Sequence, residues 1–165
     1  MKNLSSWRPN QNEGEAMVQN KKRILIVDND EAVLRNIGEY LVSKGYIVDT
    51  AKTGVEAVEK SKKVFFNVAI LAIRLPDIDG TELLSRMHES EPKMIKIMLT
   101  GYPNTENAIA AVNRGANAYL IKPVQLEKML KLIKQKLAEQ DKETEMGKDK
   151  LVSYIKSRNK EFEEK

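Results

Sequence analysis

The sequence predicts an α/β fold, a doubly wound five-stranded parallel sheet of the (βα)5 type. Two observations carry it. Short apolar runs rich in β-branched residues recur five times, and stretches with apolar residues at three- and four-residue spacing lie between and after them. That alternation requires a parallel sheet with helices on both faces. The first run, Ile24-Leu25-Ile26-Val27, is also apolar at every position, as a doubly covered strand must be.

Each element follows in order. After the first strand, Asp30 can cap a helix that places Val33, Leu34, Ile37, Tyr40 and Leu41 on one face. Gly45 suits the left-handed position behind that helix. Tyr46-Ile47-Val48 reads as a second short strand. Thr53 and Glu56 form a capping box for the next helix. Val68 to Ile73 is the third strand. Pro76, Asp77, Asp79 and Gly80 mark a loop, and a short helix with Leu83, Leu84 and Met87 follows. Met94 to Leu99 is the fourth strand, Asn104 to Arg114 a helix ended by Gly115, and Ala118 to Ile121 the fifth strand. Leu126, Met129, Leu130, Ile133 and Leu137 share a face of the last core helix. Met87, Met94, Met98 and Met129 all fall on apolar faces and read as core.

The ordered core therefore spans 21–138. Residues 1–20 are rich in Asn, Gln, Ser, Pro and Glu without apolar periodicity, and read as a disordered tail in which Trp7 is the one aromatic residue. Residues 139–165 are highly charged and close to neutral overall. A short further helix is expected there after a break near Gly147, with Leu151, Val152, Ile155 and Phe162 towards one side. It is either a solvated extension or a docking or dimerising helix.

Bulk properties narrow the function. The chain has 165 residues, a net charge of +4 and no cysteine. Disulfides, zinc–thiolate sites and thiol catalysis are excluded. No stretch is apolar enough to span a bilayer, and a secretory signal is absent, so a soluble cytoplasmic protein is expected. The basic residues form no stripe, and the C-terminal lysines are nearly cancelled by acids. Nucleic-acid binding through that segment is the low-ranked alternative.

In a parallel sheet of this kind, the functional crevice lies beyond the carboxyl ends of the strands. Those ends carry Asp28-Asn29, Ala72, Thr100 and Lys122-Pro123. The segments ILIVDND (24–30), ILAIRLPDIDG (70–80), IMLTGYP (97–103) and AYLIKPV (118–124) resemble the response-regulator receiver family of two-component signalling. The resemblance implies a flavodoxin-like receiver fold. It further implies an aspartate after strand three that takes a phosphoryl group from a kinase phosphohistidine, and an acidic pair after strand one that holds Mg²⁺. A hydroxyl residue and a lysine contact the phosphoryl group. Asp28 matches the first acid, Thr100 the hydroxyl position, Lys122 the lysine and Tyr119 the aromatic switch. Pro123 is expected to follow a cis bond. Two positions depart: Asn29 replaces the second acid, and Ala72 stands at the phosphoacceptor position.

A methyl group accepts no phosphate and binds no cation, and a hard cation depends on carboxylate oxygens. Mg²⁺ is therefore expected to bind weakly if at all, no cofactor is expected, and Asp28 is expected to meet Lys122 directly or through water. The resulting expectation is a pseudo-receiver, a phosphorelay module that acts by protein–protein binding and not as an enzyme. Its partners would be a histidine kinase or another signalling protein. Homodimerisation through the face of helix four, strand five and helix five is the family's other option. The alternative is a natively phosphorylated, Mg²⁺-dependent regulator carrying an engineered aspartate-to-alanine change at 72. His88 reads as a solvated helix-end residue, Asp77 and Asp79 as turn formers, and Asp30 as a cap.

Overall fold

The computed structural model describes residues 21–90 and 92–163. The N-terminal tail with Trp7 lies outside the described residues. Ten elements alternate: β1 (Arg23–Val27), α1 (Glu31–Ser43), β2 (Ile47–Ala51), α2 (Gly54–Lys63), β3 (Val68–Ala72), α3 (Gly80–Arg86), β4 (Ile95–Thr100), α4 (Thr105–Asn113), β5 (Ala118–Ile121) and α5 (Leu126–Glu163). All strand pairs are parallel, in the order β2-β1-β3-β4-β5. This is the predicted five-stranded doubly wound sheet. The chain steps one way from β1 to β2 and the other way to β3, which opens a crevice at the carboxyl ends of β1 and β3.

Strand periodicity divides the core. Ile24, Ile26, Val68, Ile70, Ile95 and Ile97 face α1 and α5, where Leu34, Ile37, Leu41, Met129 and Ile133 cover them. Leu25, Val27, Ala69, Leu71 and Met98 face the other way, under Ala57, Leu83, Leu84 and Ala111.

The helix ends follow their side chains. Asp30 accepts a hydrogen bond from Ala32 N and Thr53 from Glu56 N. Asp79 caps α3, accepting from the backbone N–H and hydroxyl of Thr81. Gly45 and Gly115 both hold φ near +95°, the left-handed conformation in which a side chain is strained.

Several boundaries differ from the sequence expectation: β3 ends at Ala72 and not Ile73, and β4 runs from Ile95 to Thr100 and not from Met94 to Leu99. β2 begins at Ile47 and runs on to Ala51. As an edge strand it tolerates Asp49 and Thr50, and Asp49 pairs with Arg23 of β1 at 3.6 Å. Residues 104 and 114 are the caps of α4 and not its first and last turns. The largest difference is at the C-terminus, where the expected break near Gly147 is absent. One helix of 38 residues runs from Leu126 to Glu163. A single interior glycine costs a helix only about 1 kcal/mol, and no proline accompanies it here. Gln140 fastens this helix to the domain. It is 3% exposed, donates to the carbonyls of Asn67 (3.2 Å) and Lys93 (2.8 Å), and accepts from the Asn67 amide (3.2 Å). Leu151, Val152 and Ile155 are exposed on the free part of α5, and the side chain of Phe162 lies outside the described residues.

Candidate functional site

The crevice at the carboxyl ends of the strands is a cavity of about 490 Å³, lined by Asp28, Asn29, Asp30, Ala72, Arg74, Thr100, Tyr102 and Lys122 among others. Sequence separation between these residues is large. The parallel register unites them because β1, β3 and β4 end side by side: Val27 pairs with Leu71 and Ala72 with Leu99.

Asp28 is the buried charge of the site, 1% exposed. One carboxylate oxygen accepts from Asp30 N at 2.9 Å, the other from Lys122 Nζ at 2.7 Å. Of the direct or water-bridged contact expected from the sequence, the direct form is present. A carboxylate so deeply desolvated requires such partners, since an unpaired buried charge costs several kcal/mol. Lys122 follows β5 and its peptide bond to Pro123 is cis. Thr100 is buried at the end of β4, and its oxygen accepts from Tyr102 N at 3.1 Å, which leaves its O–H free to donate into the cavity. Ala72, 4% exposed, closes β3 and brings only its methyl group.

Asn29 lines the rim and is exposed. The Asp30 side chain is taken up by the first turn of α1. The side-chain donor set therefore offers one deep carboxylate with both oxygens engaged, and one neutral amide. Mg²⁺ takes six oxygen ligands, several of them waters, with one or two carboxylates among them, and here the one deep carboxylate is already engaged by Lys122 and by the Asp30 N–H. Among the described residues no group of three His, Cys, Asp or Glu side chains could hold a metal ion.

Two residues at the mouth had no sequence signal. The Arg74 guanidinium lies 4.4 Å from the centroid of the Tyr102 ring, a cation–π contact that joins the loop after β3 to the loop after β4. Their partnership exists only because β3 and β4 are neighbours. Asp77 exceeds its expected turn-forming role. Its carboxylate accepts from the N–H groups of Gly54 and Val55, each at 2.9 Å, and so caps α2 from a distant loop. Those backbone donors, Val55 first, hold its pKa below the ordinary value. The loop also folds back tightly: Gly80 N donates to the Ile73 carbonyl at 2.6 Å.

The structure does not bring Tyr119 into the cavity. It pairs with Met98 and packs with the core on the α2–α4 side of the sheet. Its hydroxyl is buried with no hydrogen-bond partner among the described residues. His88 is exposed after α3, away from the crevice.

Fold and crevice together define an α/β signalling domain with its site at the switch point of the sheet. The chain belongs to the response regulator receiver domain family, whose model matches residues 24–134. It is 36% identical over 113 residues to a probable transcriptional regulator, ycf29, of Porphyra purpurea, covering 67% of this chain and 54% of that one. It is 34% identical over 108 residues to the transcriptional regulatory protein TrcR of Mycobacterium tuberculosis, covering 66% and 42% respectively. The chain thus spans about half, or less, of the length of these relatives. Among solved structures, it is similar to a CheY-like receiver domain protein of Methanospirillum hungatei, with 48% identity, a TM-score of 0.72, and coverage of 75% of this chain and 99% of that one. The chemotaxis protein CheY4 of Vibrio cholerae matches at 27% identity and a TM-score of 0.63, covering 70% and 98%. Among the described residues no helix is long and apolar enough to cross a membrane.

Proposed function

We propose that this receiver domain is a pseudo-receiver, which takes part in two-component signalling by binding proteins and accepts no phosphoryl group. One observation carries the reading. The residue at the end of β3, facing the cavity that holds Asp28, Thr100 and Lys122, is an alanine. Phosphoryl transfer needs a nucleophile and cations to neutralise the transferred charge. Ala72 supplies no nucleophile, and Lys122 is bonded to Asp28. That ion pair substitutes for a bound cation and holds the pocket in one arrangement, so no Mg²⁺ is needed for folding or binding and the chain performs no catalysis.

The binding surface in this reading is the face of α4, β5 and α5. Ile109, Val112 and Ile121 are exposed there, a set of apolar side chains that a signalling partner or a second copy would cover. A kinase, another regulator or a second copy fits this chemistry, and a decoy or scaffold role follows from either.

Intact mass after incubation with acetyl phosphate and Mg²⁺ tests the reading. The chain as it stands is expected to show no phosphoryl adduct, and an adduct would overturn the proposal. The Ala72→Asp variant reports on the remainder of the site. Uptake by that variant would show that Thr100 and Lys122 remain competent, and favours a regulator that lost one carboxylate by a recent or engineered change. The retained placement of Asp28, Thr100 and Lys122 is the observation behind that second reading. Failure of Ala72→Asp would mean a site specialised for binding alone.

A further inference from the structure

Three side-chain donors that line the crevice are not used up within the described residues. Lys122 gives one N–H to Asp28, and an ammonium carries three; its side chain is 30% exposed. Thr100 is 4% exposed, and its oxygen accepts from Tyr102 N while its O–H donates to no described group. The Arg74 guanidinium lies against the Tyr102 ring at the mouth and meets no carboxylate among the described residues.

The register gathers these donors around one strand end. Ala72 pairs with Leu99, so Thr100 stands one residue further along β4. Thr100 pairs with Ile121, so Lys122 stands one residue beyond β5. The methyl group of Ala72 leaves the space between them open, within the cavity of about 490 Å³.

The charges of the lining, Lys122 and Arg74 against Asp28 and Asp30, sum to zero, yet they are not equally available. Asp28 neutralises Lys122 in direct contact. Asp30 serves the positive N-terminal end of α1. Arg74 alone keeps a charge without a counter-charge. The matching ligand carries a single negative charge on oxygens that accept hydrogen bonds. A dianion would bring its second charge towards the Asp28 carboxylate, which Lys122 neutralises only once.

We propose that the crevice binds one carboxylate group, seated against Ala72 by Lys122 and the Thr100 hydroxyl and closed over by Arg74. This rests on the pseudo-receiver reading and names the ligand of the same site. An acidic side chain of a bound protein and a small free acid present the same group.

The test is an amide chemical-shift titration of the full-length chain with sodium acetate, at constant ionic strength in sodium chloride and without Mg²⁺. Saturable shifts are expected at Ala72, Gly101 and Lys122. Thr100→Val should weaken acetate binding about tenfold, as for a lost hydrogen bond to a charged group. Arg74→Met, at an exposed position that leaves the fold intact, should weaken it about threefold. Ala72→Asp places a tethered carboxylate in the same space and should abolish it. An aspartate blocked at both ends by amide bonds separates the two sources. Binding like that of acetate points to a protein side chain, and binding of acetate alone to a small free acid. Absence of saturable shifts, indifference to both Thr100→Val and Arg74→Met, or tighter binding of inorganic phosphate in its dianionic range would each overturn the proposal. Acetyl phosphate takes no part in the titration, so a failure here leaves the phosphoryl-adduct experiment untouched, whereas an adduct would strike the underlying reading.

Discussion

The two flanks of the sheet are secured in different ways. On the β1–β3 flank, loops are tied to distant elements. Asp77 reaches the N-terminus of α2, Gly80 folds against the end of β3, and Asp28 is fixed by a backbone N–H and an ammonium. On the α4–β5 flank, α4 buries only Ala111 fully, β5 has no fully buried residue, and the Tyr119 hydroxyl is left unpartnered. The contrast shows that the crevice beside Ala72 is firmly tied. The looser packing, and so the capacity to rearrange on binding, sits on the other flank.

Exchanging the two kinds of glycine breaks this comparison most severely. A Cβ at Gly80 would stand 2.0 Å from the Ala72 carbonyl oxygen and 2.7 Å from Ile73 Cα, both backbone atoms. Gly80→Val is expected to cost about 3 kcal/mol or more in urea unfolding. Gly115, on the opposite flank, has nothing within 4 Å of an added Cβ, and only its positive φ opposes substitution. Gly115→Ala is expected to cost about 1 kcal/mol. Equal costs would show that the β3 loop is not tightly seated.

Next in size is the ion pair of the crevice. Lys122→Met leaves Asp28 buried without its counter-charge, with an expected loss of about 2 kcal/mol. Adding Asp28→Asn should recover much of it, and chemical denaturation of the two variants reads this directly. A double variant no better than Lys122→Met would mean that the lysine stabilises through packing and not through charge.

A smaller effect is expected at Asp77. Its carboxylate has a lowered pKa, so its contribution is complete above the ordinary value of 3.8 and fades as the pH falls through the lower, folded-state value. Asp77→Ala should lower the melting temperature near neutral pH, and the difference from the unchanged chain should shrink in strong acid. A difference constant with pH would remove the α2 cap from the account.

The smallest change, of opposite sign, is expected from Tyr119→Phe. Removing an unpartnered buried hydroxyl should leave stability unchanged or raise it by up to about 1 kcal/mol. A clear loss would reveal a partner for the hydroxyl in solution and make the α4–β5 flank no looser than the other.

Much of this architecture is legible in residue order. β1 and β3 are covered on both faces, so Ile24–Val27 and Val68–Ala72 are continuously apolar, and β4 is interrupted only by Lys96 before it ends at Thr100. Asp28, Thr100 and Lys122 stand at strand ends, where chemistry belongs in a parallel sheet. β2 reads short because an edge strand admits Asp49, whose charge interrupts the apolar run. The Arg74–Tyr102 contact and the reach of Asp77 to α2 are invisible for another reason. They join loops that only the strand order makes neighbours. The unbroken α5 escapes a sequence reading because Gly147 is a local signal for a stop, whereas the long run of helix-forming charged residues around it outweighs a single weak position.

The three hydrogen bonds of Gln140 make the arm of α5 a lever with its fulcrum at the rim of the domain. Its seat is fixed to Asn67 and Lys93, which lie at the starts of β3 and β4, opposite the crevice. A tilt of about 5° at that seat sweeps the far end of the arm through roughly 3 Å, given its length of about 35 Å. Small adjustments of the sheet base thus become displacements of several ångströms at the end of the helix. The amplitude is set by the length of the arm.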